Sequence, residues 1–94
     1  RWGELGKQLF GQGKWSDVMT LYSFAITLWP SDAILFCNRS RVMFHLGMYP
    51  EAMHDAWAAI QRDPSFVRAY QRLIEAAAET KLGLLPSYLG AFLA

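Results

Sequence analysis

The sequence repeats itself at a spacing of 34 residues, and this period constrains the fold more than any other feature. A period of this length is typical of stacked helix-turn-helix units, each of which buries its apolar face against the next unit. Arrays of this kind usually bind other molecules. The identical pairs are Gly13 and Gly47, Met19 and Met53, Ala25 and Ala59, Ile26 and Ile60, Pro30 and Pro64, and Ser31 and Ser65, and Trp15 recurs as Tyr49.

The composition predicts one small folded domain. Of the 94 residues, 53% are hydrophobic and only 18% are charged, which is too few charges for a disordered tail. A net charge of +1 gives no global attraction to nucleic acid or to an anionic membrane. The most apolar stretch, residues 82–94, is interrupted by glycine and proline and is shorter than the roughly 20 residues that span a bilayer. We therefore expect no nucleic acid and no membrane among its partners.

Cysteine and histidine usage predicts no catalytic, cofactor or metal site. Cys37 is the only cysteine, so no internal disulfide can form, and a cytoplasmic location is expected. It has no Cys-x-x-Cys partner, which favours a packing role over a redox role. His45 and His54 lie on different predicted helices without a further ligand at zinc spacing. Because the chain begins with Arg1, we interpret it as part of a longer protein.

The hydrophobic periodicity is helical throughout and predicts an all-α fold of five to six helices. Glycine and proline mark most of the boundaries, and Ser16 is expected to cap the start of the second helix. The fifth helix is expected to bury Tyr70, Leu73, Ile74 and Ala77. The predicted helices cover residues 2–10, Ser16 to the Pro30 boundary, Asp32 to Gly47, Pro50 to Asp63, about 65–82, and a short segment after Pro86.

The recurring residues resemble the tetratricopeptide repeat. This resemblance implies antiparallel helix pairs stacked in a right-handed superhelix, with repeat 1 at 1–34, repeat 2 at 35–68 and a partial repeat 3 with an apolar capping helix at 69–94. Small residues at Gly6, Ala25, Ser40 and Ala59 are expected where the paired helices approach closely. The matching positions are Trp2, Leu5, Gly6, Leu9, Gly13, Trp15, Val18, Tyr22, Ala25 and Pro30, then Phe36, Met43, Gly47, Tyr49, Ala52, Ala56, Ala59 and Pro64.

The chain also resembles the three-repeat carboxylate-clamp domains of co-chaperones, which hold the acidic C-terminal tail of cytosolic heat-shock chaperones. Asn38 matches the asparagine of the second repeat, and Arg68 and Arg72 match the two basic residues of the third. In the first repeat, Gly3 and Lys7 stand where that family has a lysine and an asparagine, so the clamp is altered there.

The predicted function is a non-enzymatic protein-interaction module that captures an acidic or C-terminal peptide, such as a heat-shock chaperone tail, in a concave groove. Guanidinium groups hold carboxylates through paired hydrogen bonds, and an asparagine amide adds a neutral donor. The expected peptide-binding residues are Lys7, Asn38, Arg41, Arg68 and Arg72.

Three other interpretations remain open from the sequence. The basic residues could be ordinary solvated helix faces. The domain could act as a scaffold that docks neighbouring parts of its own protein, or forms a homodimer, through its apolar C-terminal helix, which contains Leu89 and Phe92. It could also recruit substrates for an enzyme domain elsewhere in a longer chain.

Overall fold

The computed structural model describes residues 2–80, with side chains from Glu4 onward, and all its regular elements are α-helices. This confirms the predicted all-α class. Each helix packs against the next, and α3 also contacts α5, as expected for stacked helix pairs. The predicted sixth helix after Pro86 lies outside the described residues. The helices are α1 (Trp2–Gly11), α2 (Trp15–Leu28), α3 (Ala33–His45), α4 (Tyr49–Arg62) and α5 (Val67–Glu79).

Gly13 and Gly47 end α1 and α3 in the same way, as the repeat predicts. Their φ angles are +71° and +77°, in the left-handed region that a residue with a Cβ atom rarely adopts. The next amide donates to the carbonyl five residues earlier, which is the long bond of a Schellman motif. These bonds join Lys14 to Leu9 at 3.0 Å and Met48 to Met43 at 2.9 Å.

The start of α2 differs from the prediction that Ser16 caps this helix. The helix begins at Trp15, Lys14 is the N-cap residue, and no side chain caps the first turn. Because Lys14 both closes the Schellman turn and begins the next helix, no position is left for a capping serine ahead of it. Ser16 instead accepts a hydrogen bond from the Thr20 hydroxyl at its backbone carbonyl.

Aspartates set the starts of α3 and α5. The Asp32 carboxylate accepts a hydrogen bond from the Ile34 amide at 3.0 Å and so caps α3. Asp63 accepts from both the amide and the hydroxyl of Ser65, at 3.1 and 2.7 Å. This local turn competes with helix formation, and α5 therefore begins at Val67 rather than at Ser65.

The small residues predicted at the helix crossings are buried, which confirms their role in close packing. A Cβ atom on Gly6 would lie 2.6 Å from the Tyr22 hydroxyl oxygen, so a larger residue at this position would force the Tyr22 side chain to move. The buried Ser40 hydroxyl donates to the Ala52 carbonyl of α4 at 2.7 Å. The four residues are Gly6, Ala25, Ser40 and Ala59.

The buried face of α5 is narrower than predicted. Ala69, Leu73 and Ala76 are completely buried, and their spacing of four and three residues defines one side of the helix. Ile74 follows Leu73 by one residue, about 100° further around the helix axis. It is 64% exposed, so its predicted place in the core is wrong.

An ion pair between Arg39 and Asp55 connects three helices. Arg39 of α3 donates to both carboxylate oxygens of Asp55 on α4, at 2.6 and 2.9 Å. A third nitrogen of the same guanidinium donates to the Ser23 hydroxyl of α2 at 3.2 Å. Such a bidentate pair fixes direction as well as distance. It therefore sets how the second repeat sits against α2.

Candidate functional site

A concave groove of about 720 Å³ is lined by residues of α1, α3 and α5. Four of the five side chains predicted to bind peptide line it: Lys7 from α1, Asn38 and Arg41 from α3, and Arg68 from α5. These helices are the first helix of each successive pair. Helix stacking therefore brings residues that are 61 positions apart in sequence, 7 and 68, to one surface.

The fifth predicted residue, Arg72, lies in an adjoining cavity of about 450 Å³. Arg41 lines both cavities, so they meet at its side chain. The second cavity also contains Glu75 and Glu79 from α5. Its charge is therefore mixed, because two arginines face two carboxylates.

Asn38 is oriented by Tyr22, which the sequence did not predict as part of the site. Its side-chain amide donates to the Tyr22 hydroxyl of α2 at 3.3 Å. Burial raises the pKa of Tyr22, and the bond from Asn38 and the charge of Arg41 oppose this rise. The hydroxyl is therefore neutral at physiological pH. Because one amide N–H of Asn38 is used here, the other remains for a ligand.

The arginines of α5 differ in their partners. Arg72 forms an ion pair with Glu75, with 3.2 Å between Nη1 and Oε1, and its buried Nε has no hydrogen-bond partner among the described residues. Arg68 is exposed and forms no ion pair with residues 2–80. Arg68 is therefore open to an added anion, whereas the Arg72 guanidinium is already paired through Nη1 and its Nε is enclosed.

Cys37 packs beneath these arginines and is completely buried. Burial raises the pKa of the Cys37 thiol, while the charges of Arg72 and Arg68 act in the opposite direction. The thiol is therefore protonated at neutral pH, and thiols in that form are poor nucleophiles. This confirms the predicted packing role.

The histidines do not form a metal site with other described residues. No group of three His, Cys, Asp or Glu side chains within residues 2–80 is arranged to hold a metal ion. His45 stacks on the Trp15 ring with 4.7 Å between centroids, and His54 is exposed on α4. In the same range, no helix has the length and hydropathy needed to cross a membrane.

The structure has the same fold as several solved co-chaperone domains, although no family model matches the sequence. The TPR2B domain of yeast Sti1, solved as a complex with pHsp70, aligns with a TM-score of 0.79 and 37% identity over 81% of this chain and 61% of that chain. The second TPR of Spaghetti (RPAP3), bound to the HSP90 peptide SRMEEVD, aligns with a TM-score of 0.78 and 30% identity over 85% of this chain and 72% of that chain.

The chain belongs to the tetratricopeptide repeat (TPR) family. In this TPR domain, α1 packs against α2, α3 against α4, and α5 against α4. A curated relative, the Hsp70-Hsp90 organizing protein of Triticum aestivum, is 36% identical over 69 residues. That match covers 73% of this chain but only 12% of the relative. The TPR domain thus corresponds to a small part of a much longer protein.

Proposed function

We propose that this TPR domain binds an acidic peptide through its C-terminal carboxylates. The convergence of Lys7, Asn38, Arg41 and Arg68 in one groove carries the proposal, because it places several donors opposite any extended anionic chain. Both solved relatives are named as complexes with chaperone peptides, and the HSP90 peptide ends in Glu-Glu-Val-Asp. A heat-shock chaperone tail is therefore the proposed partner.

The individual roles follow from the partners that each side chain already has. Arg68 and Arg72 hold carboxylates, because Arg68 forms no ion pair with the described residues and Arg72 is paired with Glu75 through Nη1 alone. Their like charges are four residues apart on α5, where repulsion costs a few tenths of a kcal/mol, and a bound anion offsets that cost. Asn38 orients the peptide end with its remaining N–H group. Lys7 adds positive charge.

Removing either α5 arginine is expected to weaken peptide binding. Arg68→Ala and Arg72→Ala should each cost about 1.5–3 kcal/mol of binding free energy, the usual contribution of a charged hydrogen bond. Fluorescence polarisation with a labelled peptide ending in Glu-Glu-Val-Asp measures this loss. Lys14→Ala is the matched control, because it removes an exposed charge that does not line the groove.

Unchanged peptide affinity in both arginine variants would contradict the carboxylate-binding role of Arg68 and Arg72. An equal loss in Lys14→Ala would instead reveal general charge attraction without a defined site. Circular dichroism of each variant checks that the helices are intact before affinities are compared.

The remaining functional interpretations stay predictions. Scaffolding or homodimer formation through the C-terminal segment depends on residues 81–94, which lie outside the described part of the chain. Recruitment of substrates to an enzyme depends on sequence beyond this chain. We also propose a cytoplasmic location, because the chain has a single cysteine, Cys37, and therefore no internal disulfide.

A further inference from the structure

Arg41 occupies a position that the altered clamp does not explain. Its guanidinium carbon lies 3.9 Å from the centroid of the Phe10 ring, a close cation–π contact between α3 and α1. The Phe10 ring is itself held edge-on by Trp15 and His45, with centroid distances of 4.5 and 5.1 Å. These contacts thus hold the Arg41 side chain at the junction of the two cavities.

Arg41 has no anionic partner in the described structure. The ion pairs within residues 2–80 are Arg39–Asp55 and Arg72–Glu75. Partial burial, followed by repulsion from Arg72 and Arg68, lowers the pKa of Arg41, but an arginine stays charged at physiological pH. Three guanidinium groups therefore lie near one another, and Glu75 is the single described carboxylate paired with any of them.

The far wall of the second cavity limits where an anion can sit. Glu75 and Glu79 line this cavity and repel a negative group that enters it. Arg41 also lines the groove. There, three basic side chains outnumber the two carboxylates, Glu4 and Asp32, whereas arginines and glutamates are equal in number in the second cavity. The favourable position for an additional negative group is therefore beside Arg41 and not elsewhere in the second cavity.

We propose that Arg41, positioned by Phe10, binds an anionic side chain of the peptide upstream of its C-terminal residue. This inference rests on the proposed function, in which Arg68 and Arg72 hold the terminal carboxylates. A planar guanidinium matches a carboxylate and a phosphoryl group equally well, so a glutamate or a phosphorylated serine can supply this charge. The domain then selects peptides by an internal acidic residue as well as by a free end.

A set of labelled peptides tests this selection. The parent ends in Glu-Glu-Val-Asp, and in the others each glutamate is replaced singly by glutamine or phosphoserine; all are compared as free acids and as C-terminal amides. The intact domain should prefer glutamate over glutamine at one of these positions by about tenfold, as expected for a charged hydrogen bond. Arg41→Met should remove that preference and leave the preference for a free C-terminus intact.

Phe10→Leu supplies a positioning test. It should reduce the glutamate preference in the intact domain but change nothing further when combined with Arg41→Met, whereas a purely structural effect of Phe10 would appear in both backgrounds. Thermal unfolding of each variant checks that it folds. If the phosphoserine peptide binds as tightly as the glutamate peptide, the Arg41 position accepts either anion. If the phosphoserine peptide binds more weakly, the position is specific for a carboxylate.

The outcomes separate this inference from the proposed function. Full retention of the glutamate preference in Arg41→Met, or no such preference in the intact domain, overturns the role of Arg41. Equal binding of free-acid and amidated peptides overturns the terminal clamp, while the glutamate preference among the amidated peptides still tests Arg41. No binding of any peptide overturns both.

Discussion

Replacing Arg39 with methionine is expected to lower the free energy of unfolding by about 3–5 kcal/mol, because it leaves a buried carboxylate without its partner. The Asp55 side chain is only 4% exposed, and both of its oxygens accept hydrogen bonds from Arg39. Methionine retains much of the arginine stem but none of its donors. Urea unfolding followed by circular dichroism measures the change.

Two further variants separate the buried charge from simple loss of packing. Arg39→Met combined with Asp55→Ala removes both charges and should be more stable than Arg39→Met alone. Asp55→Asn should cost less than Arg39→Met, about 1–3 kcal/mol, because the Arg39 side chain is 20% exposed and can reach water. If the double variant is no more stable than the single one, the ion pair is not what connects these helices. Asp55→Asn keeps the comparison possible if Arg39→Met does not fold.

Leu73→Ala is expected to destabilise the domain by about 2–5 kcal/mol, the usual cost of a cavity left by a buried leucine. Leu73 is completely buried, in the same apolar cluster as residues of α3 and α4. Its loss should loosen the attachment of α5, which contributes Arg68 and Arg72 to the site. Peptide affinity should therefore fall as well, although Leu73 lines neither cavity.

Ile74→Ala is the matched control for this prediction. It removes an aliphatic side chain from the adjacent position of α5, but Ile74 is 64% exposed. Surface substitutions of this kind usually change stability by less than about 0.5 kcal/mol. Equal destabilisation by the two variants, measured by urea unfolding, would contradict the described orientation of α5.

Local sequence signals predicted the helices well because their boundaries depend on nearby residues. Gly13 and Gly47 end helices through their own backbone conformation, and Asp32 caps α3 two residues away. The predictions were wrong where contacts with other parts of the structure determine a helix start or the burial of a side chain. Ser16 is a suitable capping residue, but the preceding Schellman turn already defines the start of α2. Ile74 is as apolar as Leu73, and only packing against other helices distinguishes the two.

The candidate site could be predicted only in part. Lys7 and Arg41 were found as basic residues on the first helices of the repeats, and Asn38, Arg68 and Arg72 through the resemblance to carboxylate-clamp domains. The bond between Asn38 and Tyr22 crosses two helices, and no local pattern signals it.

The ion pair between Arg39 and Asp55 did leave a signal in the repeat. The equivalent positions of the first unit, 34 residues earlier, are Leu5 and Leu21. A pair of leucines in one repeat thus becomes a pair of opposite charges in the next. Because these positions carry opposite charges in the second repeat and apolar side chains in the first, comparing the repeats position by position marks Arg39 and Asp55 as a candidate ion pair.

The most direct test of the central claim is a titration of the domain with one labelled peptide in two forms. The peptide ends in Glu-Glu-Val-Asp, with either a free carboxylate or an amide at its C-terminus, and binding is followed by fluorescence polarisation at low and moderate salt. If the domain captures the terminal carboxylate, amidation should weaken binding by about tenfold or more, because at least one charged hydrogen bond is lost. Equal affinity for the two forms would contradict capture of the terminal carboxylate.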